Sequence, residues 1–86
     1  MQVTYSKTAS KYVSSLDKPT KLRIRQGIEG LTFEPPKGDI KLLQGKDNIY
    51  RLRIGKYRIL YYYIELVDGN IGLNITHIGS RGEIYK

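Results

Sequence analysis

Cysteine is absent from this 86-residue chain, so neither a disulfide framework nor a thiolate zinc site can form. A single histidine and eight scattered carboxylates exclude the usual zinc constellations, and no two acids are spaced to bridge a pair of metal ions. Gly79-x-x-Gly82 is too little to make a phosphate loop, so no nucleotide cofactor is expected either. Apolar runs stay far shorter than a membrane span, and the first residues carry no signal-peptide pattern. Internal repeats and low-complexity tracts are also missing. The expectation is a cytoplasmic protein with no cofactor, no metal and no membrane partner.

What is present is positive charge. Fifteen lysines and arginines against eight acids give a net charge of +7, which by itself favours an anionic partner: nucleic acid, an acidic protein or a membrane surface. Apolar residues make up 40% of the chain and fall in alternating or helical patterns, which argues against disorder. A chain of this size supports one core, so residues 1–86 are expected to form a single domain.

The chain is organised around Ile49-Tyr50-Arg51-Leu52-Arg53-Ile54-Gly55-Lys56-Tyr57-Arg58-Ile59-Leu60-Tyr61-Tyr62. β-Branched and aromatic residues alternate on both sides of a short Gly-containing break, which predicts a hairpin turning at Gly55-Lys56. A two-residue loop pairs Ile54 with Tyr57, Arg53 with Arg58 and Arg51 with Leu60. Residues of one parity share a face, so Arg51, Arg53 and Arg58 converge. Like charges set opposite each other destabilise a sheet by up to about 1 kcal/mol. Something must offset that repulsion, and a polyanion is the first candidate; the alternative is a solvated face that discourages edge pairing.

Before the hairpin, residues 1–5 read as a strand and Ser6 as a helix N-cap. Ala9, Tyr12, Val13 and Leu16 form one apolar helical stripe, and Ile24, Ile28 and Leu31 form a second after Asp17-Lys18-Pro19. Gly27 lies on the apolar side, where close packing is possible. Pro35-Pro36 ends the helical half, and residues 40–43 can form a strand or plug the core. After the hairpin, residues 67–70 supply a tight turn into a last strand over residues 71–78. The expected fold is α+β in two layers: an N-terminal strand and helical hairpin packed on an antiparallel β meander.

A two-residue second turn pairs Leu66 with Ile71, Leu60 with His77 and Arg58 with Gly79. His77 then joins the arginine face, and Arg81 continues it if the chain stays extended. Tyr62, Ile64, Leu66, Ile71, Leu73 and Ile75 would make the far end of that face apolar. It would be completed by another molecule or covered by residues 33–43.

The chemistry on offer is cationic and phenolic, which suits phosphodiester cleavage without metal. Arginines can stabilise a phosphorane-like transition state, and a tyrosine or histidine can move protons. A ribose 2′-hydroxyl as nucleophile would confine cleavage to RNA.

Residues 50–61, with Tyr57-Arg58 in the second strand, and Ile78-Gly79-Ser80-Arg81-Gly82-Glu83-Ile84-Tyr85-Lys86 resemble the RelE branch of the RelE/ParE toxin superfamily. Element order and size agree over nearly the whole chain. The resemblance implies a toxin of a type II toxin–antitoxin module: a metal-free endoribonuclease that cuts mRNA in the ribosomal A site. A 2′-hydroxyl attacks the next phosphate, leaving 2′,3′-cyclic phosphate and 5′-hydroxyl ends. By motif, Arg58, Arg81 and Tyr85 fall on catalytic positions, with Tyr85 a general-base candidate and Arg81 assisting the leaving group. Arg51 and Arg53 occupy positions that hold basic residues in the family and read as phosphate-binding, while Lys46 and Lys56 read from their charge as electrostatic contacts to rRNA. His77 has a counterpart only in some branches and is a second proton-transfer candidate; Glu83 reads as a solvated acid. The implied partners are an acidic RelB-like antitoxin, in a hetero-oligomer, and the ribosome with its mRNA and rRNA. A ParE-like gyrase inhibitor and a non-catalytic RNA- or antitoxin-binding module are the alternatives.

Overall fold

A computed structural model describes residues 1–43 and 48–84. The element order is β1 (Gln2–Tyr5), α1 (Lys7–Ser14), α2 (Lys18–Gly30), β2 (Asp39–Leu42), β3 (Tyr50–Ile54), β4 (Tyr57–Glu65), β5 (Ile71–Ser80) and a last helical turn, α3 (Arg81–Ile84). The five strands lie in the order β1-β5-β4-β3-β2. β1 runs parallel to β5, and every other pair is antiparallel. This is the expected two-layer α+β architecture, with residues 39–42 forming an edge strand.

The helices start where local chemistry dictates. Ser6 Oγ accepts from the Ala9 amide at 3.0 Å, and Asp17 accepts from the Thr20 amide at 3.4 Å, each satisfying a first-turn donor that the helix leaves unpaired. Ala9, Val13, Ile24, Ile28 and Leu31 are buried against Leu52, Ile59, Tyr61, Leu73, Ile75 and Ile78 of the sheet. Gly27 permits that packing: a Cβ there would overlap Ile54 Cδ1. The close approach is of helix to strand β3.

The hairpin register matches expectation: Ile54 faces Tyr57, Arg53 faces Arg58 and Arg51 faces Leu60. Gly55, at φ +55°, takes the left-handed position that the turn requires. The second turn differs. Glu65 pairs with Ile71, leaving the Leu66 amide to donate to Asn70 O at 2.7 Å around a three-residue loop closed by Gly69 at φ +85°. An odd loop shifts the parity of β5 by one residue, so Leu73 and Ile75 enter the core and Gly72 and Asn74 face outward. An irregularity between Leu60 and Tyr61, opposite an extra residue at Thr76, then restores the expected Leu60–His77 and Arg58–Gly79 pairs. The apolar end expected for the arginine face therefore shrinks to Tyr62, Ile64 and Leu66, all half-buried, with Leu66 beside Ile64 over Gly72. Residues 39–42 do not fold over it, because they extend the sheet at its edge.

Candidate active site

Three strands set the site. Strand alternation and register put Arg51 and Arg53 of β3, Arg58 of β4 and His77 of β5 on the sheet face opposite the helices, as the sequence predicts. Asp39 and Lys41 of β2 join them, since Asp39 pairs with Arg53 and Lys41 with Arg51.

Charge on this face is not left bare. Asp39 Oδ1 lies 3.1 Å from Arg51 Nη2, and its Oδ2 lies 2.5 Å from Arg53 Nη2. One carboxylate thus bridges two guanidinium groups, and the offset expected from a polyanion comes partly from within the chain. Arg51 is the more enclosed, with its side chain 13% exposed against 51% for Arg53. Its Nε is the one buried side-chain nitrogen or oxygen without a hydrogen-bond partner among the described residues.

Arg58 is almost buried, at 9% exposure. Its Nη1 donates to Gly55 O at 2.9 Å and to Tyr57 O at 3.0 Å, so the guanidinium is fastened to the hairpin turn. Lys56 sits at that turn with Nζ 5.4 Å from the centre of the Tyr57 ring, a cation–π distance. His77 is exposed, with Nδ1 3.2 Å from Thr76 Oγ1. The bulge carrying it is pinned from both sides: Thr76 Oγ1 donates to Leu60 O at 3.1 Å, and Ser6 Oγ donates to Thr76 O at 2.6 Å.

Arg81 departs from expectation, because the chain does not stay extended. Arg81 is exposed and opens α3, its amide donating to Lys56 O at 3.1 Å. Glu83 turns the chain: its Oε1 accepts from the Ser80 amide at 2.9 Å and from the Tyr12 hydroxyl at 3.1 Å. Ser80-x-x-Glu83 is the reaching-back half of a capping box, a pattern legible in the sequence. Glu83 is thus a structural tie to α1, in place of the solvated acid expected. Ile84 lies 3.4 Å from where a Gly79 Cβ would stand, so the turn packs against β5 at the register position of Arg58. Tyr85 and Lys46 lie outside the described residues.

The phenols whose pKa is displaced are all displaced upward. Burial raises Tyr5, Tyr12, Tyr61 and Tyr63, and Glu83 adds to the effect at Tyr12. Tyr61 stacks on Tyr50, Tyr63 meets both rings edge-on at the margin of the core, and Tyr63 donates to Leu31 O at 2.8 Å. None of these four is poised as a base at neutral pH. Among the described residues, no cluster of His, Cys, Asp or Glu could hold a metal ion, and no helix is long and apolar enough to cross a membrane.

Sequence comparison matches residues 3–85 to the family described as the ParE toxin of type II toxin–antitoxin systems. "Putative toxin RelE1" of Methanocaldococcus jannaschii is 40% identical over 67 residues, covering 74% of this chain and 71% of that protein. The toxin in the RelB–RelE antitoxin–toxin complex from Methanococcus jannaschii superposes with a TM-score of 0.69 at 27% identity, over 95% of this chain and 94% of the other. Isolated Escherichia coli RelE gives a TM-score of 0.72 at 17% identity, over 98% and 89%, a likeness of fold. The chain belongs to the ParE toxin family of type II toxin–antitoxin systems, and within the RelE/ParE superfamily it falls in the RelE branch. It is a RelE-like toxin of such a module.

Proposed function

We propose that this toxin is a ribosome-dependent endoribonuclease that stops translation by cutting mRNA in the A site. The observation that carries the reading is the register: Arg53 opposite Arg58, and Leu60 opposite His77, gather Arg51, Arg53, Arg58 and His77 on one face. In the proposed reaction a ribose 2′-oxygen attacks the adjacent phosphorus and gives up its proton to Tyr85 or His77. The bond from phosphorus to the 5′-oxygen breaks, and that oxygen takes a proton as it leaves, assisted by Arg81. The products are a 2′,3′-cyclic phosphate and a 5′-hydroxyl. Arg58, held rigid by its two carbonyl acceptors, faces the charge that develops on the phosphoryl oxygens. Arg51, Arg53, Lys46 and Lys56 bind phosphate, in mRNA or rRNA. No cofactor enters the scheme.

An acidic antitoxin is the proposed partner, in a cytoplasmic hetero-oligomer. The net charge of +7 suits it, and the similar Methanococcus protein was solved with RelB. The family match bears the ParE description, which supports gyrase inhibition as a second reading. Primer extension on mRNA in programmed ribosomes, beside a gyrase supercoiling assay, separates the two. Cleavage within the A-site codon, lost in Arg81→Ala, is expected. Inhibited supercoiling with intact mRNA would establish the second reading, and efficient cutting of naked RNA would remove the ribosome from the mechanism.

A further inference from the structure

Asp39 meets Arg51 and Arg53 as an RNA phosphate would. Each carboxylate oxygen takes one guanidinium: Oδ1 meets Arg51 Nη2 at 3.1 Å and Oδ2 meets Arg53 Nε at 2.5 Å. Side-on and end-on pairing of arginine with an anion is how carboxylates and phosphates alike are held. Two features mark the arrangement as a phosphate site with a stand-in. Among the described residues Arg51 Nε is buried and has no acceptor, so the carboxylate leaves one donor unanswered that a phosphate's further oxygen could satisfy. Asp39 itself sits on an edge strand and is 43% exposed, so it can swing out without disturbing the core.

We infer that Asp39 is an intramolecular occupant of the phosphate site, holding Arg51 and Arg53 in binding geometry until an RNA phosphate displaces it. This rests on the reading of the face as an RNA-binding surface, and it assigns a residue that the motif resemblance does not reach. The physical consequence is a trade. Asp39 removes the repulsion between the strand arginines and keeps them aimed, but it competes with every incoming phosphate. Free RNA, touching the protein at few other points, competes poorly; the ribosome, touching it at many, competes well.

The test uses binding, which does not depend on catalysis. Affinity for a single-stranded RNA with 2′-O-methyl riboses, which lacks the nucleophile, is measured by fluorescence anisotropy across a salt series. The proteins compared are the unsubstituted chain, Asp39→Asn, Asp39→Glu and Asp68→Asn. Asp68 lies in the β4–β5 turn, so its amide adds the same unit of net charge elsewhere. Asp39→Asn is expected to bind roughly 3- to 10-fold tighter, the equivalent of releasing one or two surface ion pairs. Its log K against log salt should steepen by about 0.7 for each further phosphate that the freed arginines neutralise. Asp39→Glu should stay near the unsubstituted affinity, and Asp68→Asn should change it by less than about twofold, as expected of a charge remote from the bound phosphates. If Asp39→Asn tightens binding no more than Asp68→Asn, or if Asp39→Glu tightens it equally, the displacement idea is wrong. Thermal melts confirm that each variant is folded at the assay temperature. Absence of cleavage on ribosomes would remove the endoribonuclease reading while leaving Asp39 to be judged by these affinities alone.

Discussion

Arg58→Ala should unfold the toxin more easily, although like-charge repulsion taken alone predicts the reverse. From the sequence, Arg58 faces Arg53 across the hairpin, so deleting one charge would relieve a few tenths of a kcal/mol, up to about 1. The structure changes the sign. Arg58 is 9% exposed, and its Nη1 donates to Gly55 O at 2.9 Å and Tyr57 O at 3.0 Å. A charge-assisted hydrogen bond contributes roughly 1.5–3 kcal/mol, and removal would also strip packing from the aliphatic stem. Asp39 already answers the charge of Arg53, so little repulsion remains to be relieved. The net expectation is a loss of about 1–3 kcal/mol. For a domain of this size that lowers Tm by roughly 4–24 °C, at about 4–8 °C per kcal/mol. Circular dichroism melts measure it, with Arg53→Ala as the exposed control, expected to stay within about 0.5 kcal/mol of the parent. Arg58→Lys, which keeps the charge but not the forked geometry, should fall between. An Arg58→Ala protein melting at or above the parent temperature would refute this account of the guanidinium. Because activity and stability fall together here, growth inhibition by this variant is informative only where the melt shows it folded.

Gly27→Ala should change stability by less than about 1 kcal/mol in urea melts, because the collision of its Cβ with Ile54 Cδ1, the end of a rotatable side chain, is offset by the helix propensity gained inside α2, and Ile54→Val in the same chain should tip the balance toward stability. At alkaline pH the phenols raised by burial (Tyr5, Tyr12, Tyr61 and Tyr63) favour the native state while protonated, so their contribution is full below the ordinary value of 10.0 and is lost as pH climbs past it. Urea midpoints measured through that range should fall less steeply in Tyr61→Phe than in the parent; an equal slope would show that Tyr61 is not among the responsible groups. Tyr85→Phe should still bind programmed ribosomes but cleave about 10²- to 10⁴-fold more slowly in single turnover. A parent-like rate in Tyr85→Phe, with His77→Ala inactive, would move proton transfer to His77.

Much of the fold was legible because its signals are local. Ser6 and Asp17 cap the helices they precede, Pro19 sits in the first turn of α2, and Gly55 turns a hairpin whose register follows from loop length. Arg51, Arg53 and Arg58 share a face because strand period admits no other outcome once that register is set. The miss in β5 has one cause. Val67-Asp68-Gly69-Asn70 is compatible with loops of two or three residues, and a one-residue difference exchanges the two faces of a strand. Thr76 then exchanges them back, and a bulge of that kind leaves no mark in hydrophobic alternation. The Asp39 bridge was invisible for another reason: it depends on strand β2 pairing with β3 in a register that four residues without a turn do not specify. The capping box at Ser80 and Glu83 was readable, but an acid in a polar terminal segment reads first as solvated.

Both departures lead to helix α1. Its N-cap, Ser6, donates to Thr76 O at 2.6 Å and so fixes the bulge that carries His77. Further along the same helix, Tyr12 donates to Glu83 at 3.1 Å and so fixes the turn that carries Arg81. The two side chains that the sequence assigned to the arginine face by simple extension are therefore held in place from the opposite layer. A sheet alone would set Arg51, Arg53 and Arg58, whose positions follow from register. It would not set Arg81, whose strand has ended, and it would leave His77 on an unpinned irregularity. Ser6→Ala and Tyr12→Phe each delete one hydroxyl hydrogen bond, at a cost of about 0.5–1.5 kcal/mol in melts. If α1 positions the face, Tyr12→Phe should lower cleavage on programmed ribosomes by more than its stability loss explains, whereas Ile28→Val, a core truncation in α2 of similar cost (about 0.5–1.5 kcal/mol), should not. Equal losses of cleavage in Tyr12→Phe and Ile28→Val would show that the hydrogen bond serves the fold alone.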